Sequence, residues 1–222
     1  MKINDIPVNF KVIKPWGTEY TIYKNLTSST KLLRLKKNKS TSLHCHPIKK
    51  TGFILIKGEV SVDLGFYNTK KLTPLSRLMI RPGLFHCTRN INNKEAVILE
   101  IETPIDKDDL VRFKDNYGRQ DKPYEDSKSM VKLKNEQIFE DPKLGESIEY
   151  IIEDLSIKIV KTDNIKKLKN SKKNSIIAVL DGGLVGTNQR YVLSPGDIVG
   201  IDTVKKLSEV FKIKKYITYF EL

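Results

Sequence analysis

Ser42-Leu43-His44-Cys45-His46-Pro47 and, some forty residues on, Arg81-Pro82-Gly83-Leu84-Phe85-His86 together hold all three histidines of the 222-residue chain. The first stretch leads into an apolar run, so it reads as an extended strand, and residues two apart on a strand point to the same face. His44 and His46 then project together while Cys45 turns away. Pro82-Gly83 makes a turn that the chain leaves extended, and His86 meets the other two if both strands line one barrel. His-x-His alone is a weak motif, as consistent with unrelated core or surface histidines as with a ligand pair. The third histidine decides for one metal site at His44, His46 and His86, because three imidazoles with an open position hold zinc or a similar ion for chemistry. The expected cofactor is a divalent ion, zinc foremost, with manganese, nickel and iron as the other candidates.

Outward from these motifs, short runs rich in Val, Ile, Leu, Tyr and Phe alternate with turn residues, the pattern of an all-β sandwich or barrel. Strands are predicted near Glu19-Lys24, Lys31-Lys36, Ser42-His46, Gly52-Lys57, Glu59-Leu64, Leu78-Arg81, Leu84-Asn90 and Ala96-Glu102, with Gly58 in a hairpin turn. So many strands in so short a span suit a double-sheet jelly roll. Pro104 ends the last strand, and Asp106 to Phe113 reads as a short helix with Asp106 as its N-cap. The chain is then polar from Tyr117 to about Met130, which places a linker at 121–135. Residues 136–222 read as a worn copy of the first barrel. Ile176 to Val185 parallels Phe53 to Val60, Leu193 to Val199 parallels Met79 to Phe85, and Tyr216 to Glu221 closes the set. The division is therefore a metal-binding domain at 1–120, the linker, and a degenerate β domain at 136–222 without histidines, with a covering or interface role.

The 39% hydrophobic content is enough for a core. No apolar run approaches the roughly 18 residues that span a bilayer, and the N-terminus is too polar for a signal peptide, so no membrane partner is expected and the cytoplasm is the default location. Cys45 and Cys87 each flank a candidate ligand and read as packed small hydrophobes, with a reactive Cys87 thiol as the minority reading. The net charge of +13 comes mostly from scattered lysines. Such a surface favours anionic partners, yet no helix-turn-helix, zinc-finger spacing or aromatic-interleaved basic strand points to nucleic acid.

The same residues resemble the cupin superfamily, whose first motif pairs His-x-His with a later Glu and Gly and whose second carries Pro, Gly, His and Asn. Here these are His44, His46 and Gly58, then Pro82, Gly83, His86 and Asn90, while Thr51 stands where the Glu is expected. More narrowly, residues 10 to 120 resemble the cupin domain of type II mannose-6-phosphate isomerases. Lys14-Pro15-Trp16-Gly17 is similar to that family's opening. Glu100 to Pro104 followed by Asp108 to Arg119 is similar to its closing segment. In this chain His44 replaces the family's Gln, and Thr51-Gly52 replaces its Glu-His. The resemblance implies a jelly-roll bicupin, sugar-phosphate chemistry and a homodimer.

An ion held by three neutral imidazoles keeps its full charge and polarises a carbonyl, and an isomerase or epimerase then needs a nearby base. Glu100 and Glu102 alternate with Val97, Leu99 and Ile101 and so share one strand face; Glu102 is the first choice and Glu100 the second, against a solvent-facing reading of both. Arg34 and Lys36 share a face on an early strand, and Arg112 falls in the closing segment; any of the three could bind a phosphate. Trp16 is a candidate for stacking on a sugar. The expected function is a metal-dependent isomerase or epimerase of a phosphorylated or nucleotide-linked sugar, with surface-polysaccharide synthesis as a candidate setting. The alternatives are a non-catalytic sugar-binding or assembly module and a three-histidine iron dioxygenase.

Overall fold

The computed structural model describes residues 8–120 and 127–222. They divide into two compact units, one running to Tyr23 and from Ser29 to Ile138, the other taking Lys24–Ser28 and Phe139–Leu222. Residues 121–126 of the expected linker lie outside the described residues.

The first unit is built from β1 (Phe10–Lys14), β2 (Gly17–Lys24), β3 (Ser29–Leu35), β4 (Leu43–Cys45), β5 (Lys50–Lys57), β6 (Val60–Leu64), β7 (Asn68–Leu72), β8 (Arg77–Ile80), β9 (His86–Asn90), β10 (Ala96–Thr103), β11 (Val111–Lys114) and β12 (Met130–Lys132). One antiparallel sheet has the order β12-β1-β2-β3-β10-β5-β8 and the other β11-β4-β9-β6-β7. From β3 onward the chain passes back and forth between them, with β3, β5, β8 and β10 in the first and β4, β6, β7, β9 and β11 in the second. That alternation is a double-stranded β-helix, the jelly roll expected from the sequence.

Every second residue of these strands enters the space between the sheets. Leu33, Leu35, Phe53, Leu55, Leu78, Ile80, Ala96 and Ile98 from one sheet meet Val60, Val62 and Leu72 from the other. Toward one end of the barrel the same inward positions turn polar: Leu33 gives way to Lys31 on β3, Phe53 to Thr51 on β5, and Ile98 to Glu100 and Glu102 on β10. The ladder places Glu100 opposite Lys31 and Phe53, and Glu102 opposite Ser29 and Thr51. Asn90 is not at this end. Its Nδ2 donates to Leu35 O (2.9 Å) and Lys94 O (2.8 Å), tying the β9–β10 turn to β3.

The expected helix over Asp106 to Phe113 is absent. Asp106 Oδ1 accepts Asp108 N–H at 3.0 Å, so the aspartate caps a turn, and Val111–Lys114 pairs with β4 as β11. The β-branched and aromatic residues of Val-Arg-Phe alternate with a period of two, and an open strand edge on β4 wins over the capping signal. The end of the expected linker is also strand, since β12 pairs with β1.

In the second unit, β13 (Ser147–Ile152) and β14 (Leu155–Thr162) form a hairpin, followed by α1 (Ile165–Lys169), β15 (Ile176–Val185), β16 (Tyr191–Leu193), β17 (Ile198–Gly200), α2 (Ile201–Val210) and β18 (Lys212–Glu221). Glu153 and Asp154 at the hairpin turn both take positive φ, 50° and 66°, the two-residue turn whose twist matches the strands. The sheet order is β13-β14-β18-β15-β16, with β17 also on β15. The last strand is thus central, between β14 and β15, as β10 lies between β3 and β5. Where the first unit has a second sheet, this unit has helices: Leu168 of α1 and Ile201 and Val204 of α2 pack on Val160, Ile177, Val179, Ile217 and Tyr219. The Lys24–Ser28 loop belongs here because Asn25 Nδ2, Thr27 Oγ1 and Ser28 Oγ all donate to Leu180 O, at 3.3, 2.9 and 2.6 Å. No helix among the described residues is long and apolar enough to cross a membrane.

Gly17 closes the β1–β2 turn at φ 153°, and a Cβ on it would lie 1.8 Å from Arg34 O. Only a residue without Cβ lets β2 approach β3 there. Gly17→Ala is expected to lower the unfolding free energy by about 2 kcal/mol or more, read as a fall in the urea midpoint with unchanged slope.

Candidate metal centre

β4 and β9 are neighbours in the second sheet, and His44 pairs directly with His86. His46 follows β4 in the same phase, so all three imidazoles meet inside the polar end of the barrel. Their ring centroids lie 4.4 Å (His44–His86), 5.1 Å (His44–His46) and 5.6 Å (His46–His86) apart. Each ring spends its Nδ1 on a backbone carbonyl: His44 on Ser42 O at 2.8 Å, His46 on Asp109 O at 2.5 Å, His86 on Leu84 O at 3.0 Å. A carbonyl only accepts, so Nδ1 carries the proton in all three and each Nε2 keeps its lone pair. Burial is the chief reason that all three imidazoles titrate below their ordinary value, His46 at about 3. They are neutral at pH 7. His86 Nε2 is buried and makes no hydrogen bond among the described residues, and donor atoms of the three rings lie within 4.8 Å of one another. An orphaned buried nitrogen beside two other imidazoles, each oriented by a carbonyl, fits a divalent cation.

Glu100 and Glu102 do point inward, into the cavity with the histidines, and not to solvent. Their environments differ. Glu102 Oε2 accepts from Lys31 Nζ at 2.8 Å and Oε1 from Lys49 Nζ at 2.9 Å, while Oε1 lies 3.9 Å from His46 Nε2. Burial alone would raise this carboxyl, but the two ammoniums outweigh it and hold Glu102 well below the usual carboxylate range. For Lys31, burial works to lower the ammonium, and Glu102, Glu19 and Glu100 overcome it and hold it high. Burial, then the charge of Glu102, raises Glu100 to about 8. Lys31 and Lys49 draw its carboxyl down as well, but less than burial and Glu102 push it up. Lys14 and Glu19 add a further buried pair at 3.4 Å.

Of the other residues expected at the site, Trp16 and Arg112 line the cavity, Trp16 as part of the apolar core as well. Arg34 and Lys36 do not. They alternate with Leu33 and Leu35, which enter the core, so they point outward; Arg34 bonds Glu95 at 2.8 Å and Lys36 is exposed. Leu32 is as buried as Leu33, so β3 is apolar on both faces and its pattern does not reveal which phase faces inward. The basic residues that line the cavity are Lys14, Lys31, Lys49, Lys107, Arg112 and Arg119, against the carboxylates Glu19, Glu100 and Glu102. With neutral imidazoles the cavity wall is net positive. Lys31 had a readable signal, a charge in phase with Leu33 and Leu35; Lys49 had none, sitting in a Lys-Lys pair like several on the surface. Cys45 and Cys87 are free and buried, and burial raises both thiols above their ordinary value, so neither is a thiolate at neutral pH.

A jelly roll with two histidines from one strand segment and a third from the adjacent strand, converging at one barrel end, defines a cupin. The family described as mannose-6-phosphate isomerase C-terminal matches residues 3–115, half of the chain, and the chain belongs to that family. It is 28% identical over 111 residues to the xanthan biosynthesis protein XanB of Xanthomonas campestris pv. campestris, covering 49% of this chain and 24% of that protein. Against mannose-1-phosphate guanylyltransferase ManC of Salmonella typhimurium it is 25% identical over 111 residues, covering 49% of this chain and 23% of that one. The chain thus spans about a quarter of these relatives' length. A solved double-stranded β-helix protein of Klebsiella pneumoniae superposes with a TM-score of 0.40 at 14% identity, over 44% of this chain and 79% of the other.

Two outcomes follow from the charges. Glu102→Gln removes the carboxylate that bonds both Lys31 and Lys49, and the expected loss is about 3–5 kcal/mol of stability in chemical denaturation. Glu100 has a raised carboxyl, so its contribution is complete below its ordinary value of 4.5 and is lost as pH climbs through about 8. Chelator-treated Glu100→Gln should therefore match wild type in melting temperature near pH 5 and exceed it at pH 9.

Proposed function

We propose that the chain is a metal-dependent isomerase or epimerase of a phosphorylated sugar, with His44, His46 and His86 as ligands of a divalent ion, zinc foremost. The observation that supports it most is the convergence of three neutral, carbonyl-oriented imidazoles on a buried orphan nitrogen, beside an inward carboxyl and within a net-positive wall. The ion would supply Lewis acidity at the substrate carbonyl. Glu100 is the proton-transfer group. A carboxyl raised toward neutrality is matched to taking a proton from the carbon beside a carbonyl and returning it to the next carbon. Glu102, fixed between Lys31 and Lys49, takes the role of a permanent negative charge that holds both lysines in place. This reverses the order of preference given by the sequence. Arg112 and Lys107 are the groups for the phosphate, Arg by its fork, while the fork of Arg119 is held by Asp115. The family's sugar-phosphate association supports the substrate class; the reaction and the sugar are part of the proposal.

A second reading, sugar binding without turnover, has one observation in its favour: Thr51 stands in the motif's glutamate position with a buried hydroxyl that makes no hydrogen bond among the described residues. Metal content by plasma mass spectrometry and proton exchange in heavy water separate the two. Near-stoichiometric zinc, manganese or nickel that disappears in His86→Ala is expected, as is solvent deuterium at C2 of mannose 6-phosphate or C1 of fructose 6-phosphate. Glu100→Gln should slow that exchange by roughly 10²–10⁴-fold. Saturable binding with no exchange identifies the binding module. No metal in either protein after reconstitution would sink the enzyme reading.

A further inference from the structure

The loop between β10 and β11 is fastened to the β4–β5 connection by one residue. Asp109 is buried, and it is bonded through both its main chain and its side chain. Its carbonyl accepts the Nδ1–H of His46 at 2.5 Å. Its carboxylate accepts Ile48 N–H at 3.0 Å on Oδ1 and Lys49 N–H at 2.8 Å on Oδ2. Ile48 and Lys49 lie between His46 and β5, so Asp109 holds the loop to the segment that carries two residues of the site. The same loop brings Lys107 and Leu110 into the cavity wall. That cavity measures about 60 Å³, whereas pockets that enclose a small organic ligand run to roughly 300 Å³ or more. Withdrawing part of the wall would widen the cavity toward that range. Much of the remaining wall is strand, held in ladders of backbone bonds, whereas the stretch from Pro104 to Leu110 lies outside the strands.

We infer that Asp109 is a latch that couples closure of this loop over the cavity to the orientation of the His46 imidazole. The inference rests on the metal reading above. With the loop closed, the Asp109 carbonyl keeps the proton on Nδ1 and aims the Nε2 lone pair at His44 and His86. With it open, His46 loses that acceptor, its ring is free to rotate, and the other tautomer becomes available. An ion on the three Nε2 atoms therefore favours the closed loop, and closure favours the ion by the same factor, since coupling between two sites is reciprocal. Asp109 touches neither the reacting atoms nor the ion. It is a positioning residue.

The test uses the full chain with zinc alone as the probe, in wild type, Asp109→Ala and Asp109→Asn. Zinc affinity is measured by competition with a chromophoric chelator, the ring-nitrogen protonation of each histidine by nitrogen NMR, and the protection of amides 105–114 by hydrogen exchange with and without zinc. Asp109→Ala is expected to bind zinc about 10- to 100-fold more weakly, to lose the protonated-Nδ1 signature at His46 while His86 keeps its own, and to lose zinc-dependent protection of the loop. Both variants keep the main-chain carbonyl, and only the side-chain fastening to Ile48 and Lys49 is altered; Asp109→Asn retains one acceptor oxygen of that fastening and should fall between. Wild-type affinity in Asp109→Ala with the His46 signature intact overturns the latch, as does loop exchange in wild type that ignores zinc. Should Asp109→Ala fail to fold, Asp109→Asn and the wild-type exchange carry the decision. Absence of zinc binding by wild type itself overturns the metal reading and the latch with it, an outcome distinct from the others because it needs no variant.

Discussion

The Lys31–Glu102–Lys49 triad is the interaction on which the site depends. Three charged groups, each with 5% or less of its surface exposed, are brought out of water, and such a set survives only when each charge meets its partner at bonding distance. The requirement fixes more than the side chains. Lys31 comes from β3, Glu102 from β10 and Lys49 from the residue before β5, three neighbours in the first sheet. A slip of one residue in either ladder would turn Lys31 or Glu102 to the opposite face and strand the remaining charges. The register that closes this sheet is therefore set at one end by apolar contacts and at the other by charge neutralisation.

The same triad decides how the two carboxyls divide their labour. Glu100 and Glu102 occupy equivalent phases on one strand, and in isolation they would be interchangeable. The ammoniums settle on Glu102 because Lys49 is pinned by the turn that precedes β5. Its neighbour is left with a carboxyl that burial and like charge keep protonated well above the ordinary range. One residue becomes fixed charge and the other a titrating group, and the cause lies in a backbone connection. Thr51 belongs to this picture too. It faces Glu102 directly across the ladder, so the negative charge absent from β5 is present one strand over.

How much of this could be read from the chain varied with the physics involved. His44, His46 and His86 were legible because strand alternation and a single turn suffice to bring them together, and neither depends on what surrounds them. The jelly roll was legible for the same reason. Whether the shared face of Arg34 and Lys36 points inward was not legible because β3 is buried on both sides, which removes the polar–apolar contrast that sets the phase of a strand. Lys49 was indistinguishable from a surface lysine, since what makes it part of the site is its distance in space to Glu102. Asp106 carried a genuine capping signal, but a short sequence with both helical and strand character follows its pairing partner, and β4 offered one. In the second unit the parallel between Leu193 to Val199 and Met79 to Phe85 stops short of Ile201 to Val210, whose helical signal is the spacing of Ile201, Val204 and Leu207.

Each inward face of the barrel is divided along its length, apolar at one end and charged at the other, with the change occurring between Leu33 and Lys31, Phe53 and Thr51, Ile98 and Glu100. The residues that make the fold cohere and those that set its chemistry are thus different positions on the same strands. Drift at the charged end leaves the apolar end intact. A chain built on this plan can change residues at the charged end, His44 and Thr51 among them, and keep the apolar packing on which its folding depends.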